Sequence, residues 1–334
     1  MQKKVFAFLV LYSLLGVACF AIFLFYHKDC PSRSFPKARH AENIKAGFMW
    51  RIKEHGQVNE ASEIWGNTSD GAEPLASCPE TPPNLTGPLQ VDLETSRTLE
   101  DVRKQVGSSL QPSPQRGVTT AIIIPFRNCH EHLTHWLDYL HLILKRQQLV
   151  YGVCTINQDG DGVYSKAKLM NAGHVEALKE DDYDCFVFSD VDMVPLDDRN
   201  LYRCFDRPRH FAVAIDKFNY ELPYKDIFGG VTALSKEQFL TVSGFSNTYW
   251  GWGGEDDDMY NRIMLRIKSI SQPDAVIGWY KMIKHGRDRH NERDLDNVKK
   301  LQETKKILDQ DGLSSLSYTV VEILIELVSC VPET

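Results

Sequence analysis

From Thr119 onward the chain repeats one pattern, a short β-branched run followed by an amphipathic stretch. TTAIIIPFRN, 119–128, is cut by Pro125 and reads as a buried parallel strand ending in a loop. In EHLTHWLDYLHLILKRQQL, 131–149, Leu133, Trp136, Leu137, Leu140, Leu142 and Leu144 fall on or near one helical face. YGVCTINQDG then reads as a second strand, SKAKLMNAGHVEALKE as a second amphipathic helix, and DCFVFSDVDMVP as a third strand. This alternation dictates a doubly wound α/β fold with a Rossmann-like, mostly parallel sheet. Its ligand crevice lies beyond the carboxyl ends of the strands.

Chemistry-bearing residues fall at those ends. The third strand finishes in Asp190-Val191-Asp192. Residues two apart on a strand share a side, so both carboxylates can face one point and suit a divalent cation that also takes phosphate oxygens. The competing reading is a turn in which either aspartate caps backbone amides. Downstream, in WYKMIKHGRDRHNERD, His285 offers an imidazole and Met282 a thioether. Alone, Met282 reads as a core methionine and His285 as a surface histidine; together with a carboxylate they suit Mn²⁺ better than Mg²⁺.

YWGWGGEDDDMY, 249–260, sets three glycines and three aromatic rings before four carboxylates. Gly251, Gly253 and Gly254 permit close backbone approach, and Tyr249, Trp250 and Trp252 offer faces for the C–H side of a sugar. Glu255, Asp256, Asp257 and Asp258 supply hydroxyl acceptors and one general base, whose pKa rises among like charges. The same acids fit a helix amino terminus, and both readings can hold together.

Upstream the chain changes character. VFAFLVLYSLLGVACFAIFLFY, residues 5–26, is uncharged and, at about 33 Å as a helix, spans a hydrocarbon core. Its length reads as a retained anchor rather than a cleaved signal peptide. Lys3 and Lys4 favour a cytosolic tail of residues 1–4. A Pro- and Ser-rich stem follows, with sequons at Asn67 and Asn84 that favour a lumenal location. The net charge of -7 argues against a nucleic-acid partner. None of the eight cysteines forms a C-x-x-C pair, and Cys185 and Cys204, flanking the acidic strand end, are the best candidates for a disulfide.

The strings IIIPFRN, FVFSDVD, FGGV.ALS, GF.N.YWGWGGEDDD and MIKH.RD..NE, in that order, resemble the β-1,4-galactosyltransferase family from about Cys78 to Tyr318. The resemblance implies a GT-A-like catalytic domain over 78–320, behind a stem at 27–77 and before a divergent tail at 321–334. It also implies a type II, single-pass Golgi membrane protein with its catalytic domain in the lumen. The implied activity is inverting, Mn²⁺-dependent transfer of galactose from UDP-galactose to O4 of a terminal N-acetylglucosamine on a glycan acceptor.

By position in the motifs, Pro125, Phe126, Arg127, Asn128, Tyr164, Lys166, Val191, Asp192, Ile227, Trp252, His285, Gly286 and Arg287 would hold the donor. Asp192, Met282 and His285 would bind the metal. Tyr224, Gly254, Glu255, Asp256, Asp257 and Asn297 would hold the acceptor, with Asp256 taking its proton and Glu255 beside it. A modifier protein of the α-lactalbumin type is an implied partner. Lys166 stands where the family has arginine, and Asn297 replaces another. Ile227 stands where a larger tyrosine is usual, leaving room for an N-acetyl group and implying UDP-N-acetylgalactosamine as an alternative donor. Cys78 lacks its usual partner cysteine.

Overall fold

The computed structural model describes residues 47–53, 81–96, 98, 100, 102, 119–286 and 290–326. Residues 1–46, which hold the cytosolic tail and the anchor, lie outside the described residues, as do most of the stem, Asn67, Cys78 and Arg287. Among the described residues no helix is long and apolar enough to cross a membrane.

The strands are, in chain order, β1 (Gly47–Lys53), β2 (Thr119–Phe126), β3 (Val150–Gln158), β4 (Cys185–Ser189), β5 (Met193–Pro195), β6 (Arg209–His210), β7 (Ala214–Ile215), β8 (Val231–Ser235), β9 (Trp279–Met282) and β10 (Thr319–Glu326). The helices that position the site are α1 (His130–Arg146), α2 (Lys166–Glu180), α3 (Lys236–Thr241) and α4 (Glu255–Arg266). The main sheet runs β10-β1-β3-β2-β4-β8-β6, and a small sheet runs β5-β9-β7.

The expected alternation is present, but the sheet is mixed rather than mostly parallel. β1-β3, β3-β2 and β2-β4 pair parallel, whereas β10-β1, β4-β8 and β8-β6 pair antiparallel. The parallel centre comes from the two helical crossovers α1 and α2. On one flank, β8 returns antiparallel to β4 with no α-helix between them. β1 falls inside the stretch read as stem, and β10 begins just before the stretch read as a divergent tail.

Alternation along β2 builds the core on both faces. Ala121 and Ile123 point into one apolar cluster with Leu169, Met170 and Ala172 of α2 and Met259 and Ile263 of α4. Ile122, Ile124 and Phe126 point into the other, with Leu133, Trp136, Leu140 and Leu144 of α1. Gly173 lets α2 sit close on the sheet, because a Cβ there would lie 2.4 Å from Ile123 Cγ2. Cys185 and Cys204 form the expected disulfide, joining β4 to the loop before β6.

The third sequence strand breaks in two. β4 ends at Ser189, and Asp190–Asp192 turn the chain out of the main sheet into β5 of the small one. Here the sequence expectation is corrected: the two carboxylates sit in a turn, not on one side of a strand, and take different partners.

Candidate active site

Helices α2 and α4 pack on the same sheet face, and both begin at the carboxyl edge of the parallel strands. Lys166, the first residue of α2, therefore meets the first turn of α4. Its ammonium lies 2.9 Å from Glu255 Oε1, 3.0 Å from Asp256 Oδ2 and 3.3 Å from Asp190 Oδ1. A cation at a helix amino terminus opposes the macrodipole, so this lysine is held by the three carboxylates.

The electrostatics of the cluster are unequal. Burial pushes Asp256 up to about 8; Lys166 opposes the rise and the Glu255 and Asp190 charges add to it. Burial likewise lifts Asp190 to about 6, against Lys166. Burial works against the Lys166 ammonium, but Asp190, Asp256 and Glu255 outweigh it and hold it well above the ordinary lysine value. Lys166 stays charged while Asp256 is poised to exchange a proton near neutral pH.

Backbone geometry fixes where Asp256 can be. Gly254 precedes α4 at φ 96°, and a Cβ there would lie 2.8 Å from the Tyr249 ring. On the other side a Cβ at Gly229 would lie 2.5 Å from Asp256 Oδ2. Both glycines make room for the acidic turn. Asp257 accepts from the Tyr224 hydroxyl at 2.7 Å, tying the expected acceptor residues together, and burial raises its pKa first of all.

The fourth carboxylate has a different job from the one its neighbours suggested. Asp258 is fully buried, 2.6 Å from Arg262 Nε, and accepts from the Thr304 hydroxyl at 2.5 Å. It spends its acceptor oxygens on the fold rather than on a ligand hydroxyl.

Two of the three expected metal residues, Asp192 and His285, converge at the other end of the turn. β9 pairs antiparallel with β5, setting Met282 opposite Met193, and Ile283 N donates to Asp192 O at 2.8 Å. His285 follows, with Nε2 3.0 Å from Asp192 Oδ2 and Nδ1 2.7 Å from Gly286 O. A carbonyl and an ionised carboxylate both only accept, so in this arrangement both ring nitrogens donate and the ring is the charged imidazolium. The hydrogen bond to Asp192 raises the His285 pKa, as expected where the pair attracts positive charge.

These observations test the fit of a cation. Two donors cis on one ion at about 2.1 Å stand roughly 3 Å apart, as Asp192 and His285 do. The described residues hold no cluster of three or more His, Cys, Asp or Glu of metal-binding geometry. The pair brought together is one carboxylate and one imidazole, a set that accommodates Mn²⁺, while Met282 packs against the apolar cluster that holds Tyr280.

Several expected donor residues divide by accessibility. Pro125 and Phe126 are buried in β2, and Phe126 packs edge-on to His130. Arg127 donates to Gly162 O at 2.8 Å and lies 4.8 Å over the Tyr164 ring, while Asn128 takes φ 57° at the strand end. Val191 lies in the turn between Asp190 and Asp192, and Ile227 is half-buried two residues before Gly229.

The glycine loop is bonded to the segment after His285. Trp252 N donates to Glu292 O at 2.9 Å, Gly251 N to Tyr164 O at 2.8 Å, and Tyr164 N to His290 O at 2.8 Å. Trp252 itself is 51% exposed. Asn297 is buried and donates to Gly253 O at 2.5 Å, which makes it a brace for this loop.

Sequence reasoning gave one residue the wrong role and missed another. Asp190 completes the Lys166 cluster, and its place in the Asp-x-Asp pair was the available signal. His132, in the first turn of α1, brings its ring within 5.0 Å of His285; nothing in its local sequence marks that contact.

Comparison with known proteins places these features. Residues 78–205 match the N-terminal region of glycosyl transferase group 7, and residues 209–286 match the N-terminal domain of galactosyltransferase. The chain is 52% identical over 256 residues to beta-1,4-galactosyltransferase 2 of Cricetulus griseus, covering 75% of this chain and 69% of that one. It is 51% identical over 274 residues to beta-1,4-galactosyltransferase 1 of Mus musculus, covering 80% and 69%. Among solved structures, the catalytic domain of Drosophila beta-1,4-galactosyltransferase 7 with xylobiose is 28% identical at a TM-score of 0.55, covering 64% of this chain and 90% of that one. A mutant of the same enzyme with manganese, UDP-Gal and xylobiose gives the same TM-score at 27% identity.

Proposed function

This chain belongs to the β-1,4-galactosyltransferase family, and from that premise we propose that it is an inverting, Mn²⁺-dependent enzyme moving galactose from UDP-galactose to O4 of a terminal N-acetylglucosamine. The observation that carries the reading is Asp256, held against Lys166 at the cleft edge with its proton affinity near neutral.

Asp192, His285 and Met282 would hold the manganese ion, which when bound offsets the charge that grows on the departing diphosphate. Arg127, Asn128 and Tyr164 flank the uridine end, and Trp252, exposed on the glycine loop, closes over the sugar. Tyr224 and Asp257 bind the acceptor. Asp256 accepts the proton of the attacking hydroxyl. That oxygen bonds to the anomeric carbon as the carbon's bond to the diphosphate oxygen breaks on the opposite side. One displacement at one carbon inverts its configuration. Lys166 keeps the carboxylate oriented and limits the rise of its pKa.

The anchor, the Golgi membrane, the lumenal orientation and a modifier protein of the α-lactalbumin type belong to the same proposal; they rest on the sequence reading and on the family. Galactose is the donor sugar the relatives' names support. A panel with Mn²⁺, UDP-galactose, UDP-N-acetylgalactosamine and N-acetylglucosamine tests the assignment. Galactose transfer should dominate. Transfer of the N-acetyl sugar alone would reassign the donor, and binding of acceptor with no product from either would leave a sugar-binding relative.

A further inference from the structure

The sequon Asn84-Leu85-Thr86 lies in a segment bonded into the fold far from its place in the chain. The Asp198 carboxylate is fully buried and is met by Thr86 N at 2.9 Å, the Thr86 hydroxyl at 2.8 Å and Gly87 N at 2.7 Å. Arg146 stands 3.3 Å from the same carboxylate. Leu89 N donates to Leu196 O at 2.8 Å and Asp198 N to Gly87 O at 3.3 Å, so residues 86–89 are stitched to the strand end that follows Asp192. Asn84 is exposed in the turn just before this seam.

N-glycosylation needs more of a sequon than an exposed asparagine. The Asn-x-Ser/Thr signal requires the hydroxyl two residues on, because the transferase binds that hydroxyl while it uses the amide. In the transfer, the Asn84 amide nitrogen bonds to the anomeric carbon of a lipid-diphosphate-linked oligosaccharide. The carbon's bond to the diphosphate oxygen breaks, and one amide proton passes to a base of the transferase. In the folded chain the Thr86 hydroxyl and amide are both given to Asp198. We propose that Asn84 accepts an N-glycan only until residues 86–89 dock on Asp198, so that the order of docking and transfer sets its occupancy.

The argument is one of competition. Thr86 is itself exposed, but bonds to an ionised, buried carboxylate are each worth about tenfold in an equilibrium, and freeing its hydroxyl and amide breaks several together. Local opening sufficient for transfer is therefore rare once the segment has docked. This inference does not depend on the enzyme's donor or acceptor.

The test uses the full chain made in cells whose lipid-linked oligosaccharide synthesis is blocked, then purified in detergent. Native and urea-unfolded protein are incubated with purified oligosaccharyltransferase and a lipid-diphosphate oligosaccharide, and Asn84 occupancy is read by peptide mass spectrometry. Modification of native protein should be at least about tenfold slower than of unfolded chain. Asp198→Ala, checked for its Cys185–Cys204 disulfide and a cooperative melt, should be modified natively at a rate approaching the unfolded one. Equal rates for native and unfolded wild-type protein overturn the proposal, as does a folded Asp198→Ala that stays as slow as wild type. No modification of the unfolded chain also overturns it. Should Asp198→Ala fail to fold, the native-to-unfolded ratio of the wild type decides alone.

Discussion

Lys166 Nζ lies 3.0 Å from Asp256 Oδ2, so the first residue of one helix holds the second residue of another. The same ammonium reaches Asp190, which ties the proposed base to the turn that carries Asp192. Lys166→Met removes the cation that opposes the rise of the Asp256 pKa. The rising limb of the pH–rate profile should then move up by about a unit or more. An unmoved limb would show that the contact does not set the base.

Gly229→Ala tests the space that Asp256 occupies. The added Cβ would stand 2.5 Å from Asp256 Oδ2, and Gly229 has no left-handed backbone to strain. The carboxylate must swing away, and displacement by about an ångström costs on the order of a hundredfold in rate. kcat should fall by that order while the melting temperature changes little.

The metal assignment predicts a split by ligand. His285→Ala and Asp192→Asn each remove one member of a pair 3.0 Å apart and should abolish measurable Mn²⁺ binding at micromolar metal, read by the electron paramagnetic resonance of free Mn²⁺. Met282→Ala removes the softer donor and should weaken binding by a smaller factor. Wild-type Mn²⁺ affinity in His285→Ala would remove that residue from the site.

Asp258 separates structural from chemical acids within one run. Asp258→Asn weakens a fully buried pair with Arg262, which retains Asp311 at 2.9 Å. Loss of a buried partner costs about 3 kcal/mol at the lower end of its range. Denaturant unfolding should show that loss, whereas Asp257→Asn, at the acceptor edge, should leave stability near wild type.

Much of this was legible in the sequence because periodicity reports local structure. The strand-helix alternation from Thr119 to Ser189 follows from spacing alone. Four acids after three glycines marked a helix start beside a cleft, and α4 begins there. The division of labour among those acids was not legible, because Asp258 and Asp256 differ only in what α4 packs against. A turn at Asp190–Asp192 was open as a competing reading, but that it carries the chain into a second sheet was not legible. Strand pairing is a long-range choice that residue pattern does not encode, so the mixed character of the sheet emerged only from the fold.

The charge state of Asp256 also acts on stability. Its pKa is about 8 when folded, against an ordinary value near 4, so between those values the folded chain keeps a proton the unfolded chain has lost. Its own contribution to stability therefore falls as pH rises through that window. Activity runs the other way, since only the ionised form accepts a proton.

The central claim is tested most directly by the rate of galactose transfer from UDP-galactose to N-acetylglucosamine with Mn²⁺ across pH 6–9, for wild type and Asp256→Asn, with the product linkage read by NMR. The wild-type rate should climb with its midpoint around pH 8 and yield the β-1,4 product, and the variant should be slower by about 10²- to 10⁴-fold with no such climb. A variant that keeps the wild-type rate and the same pH dependence would contradict the account.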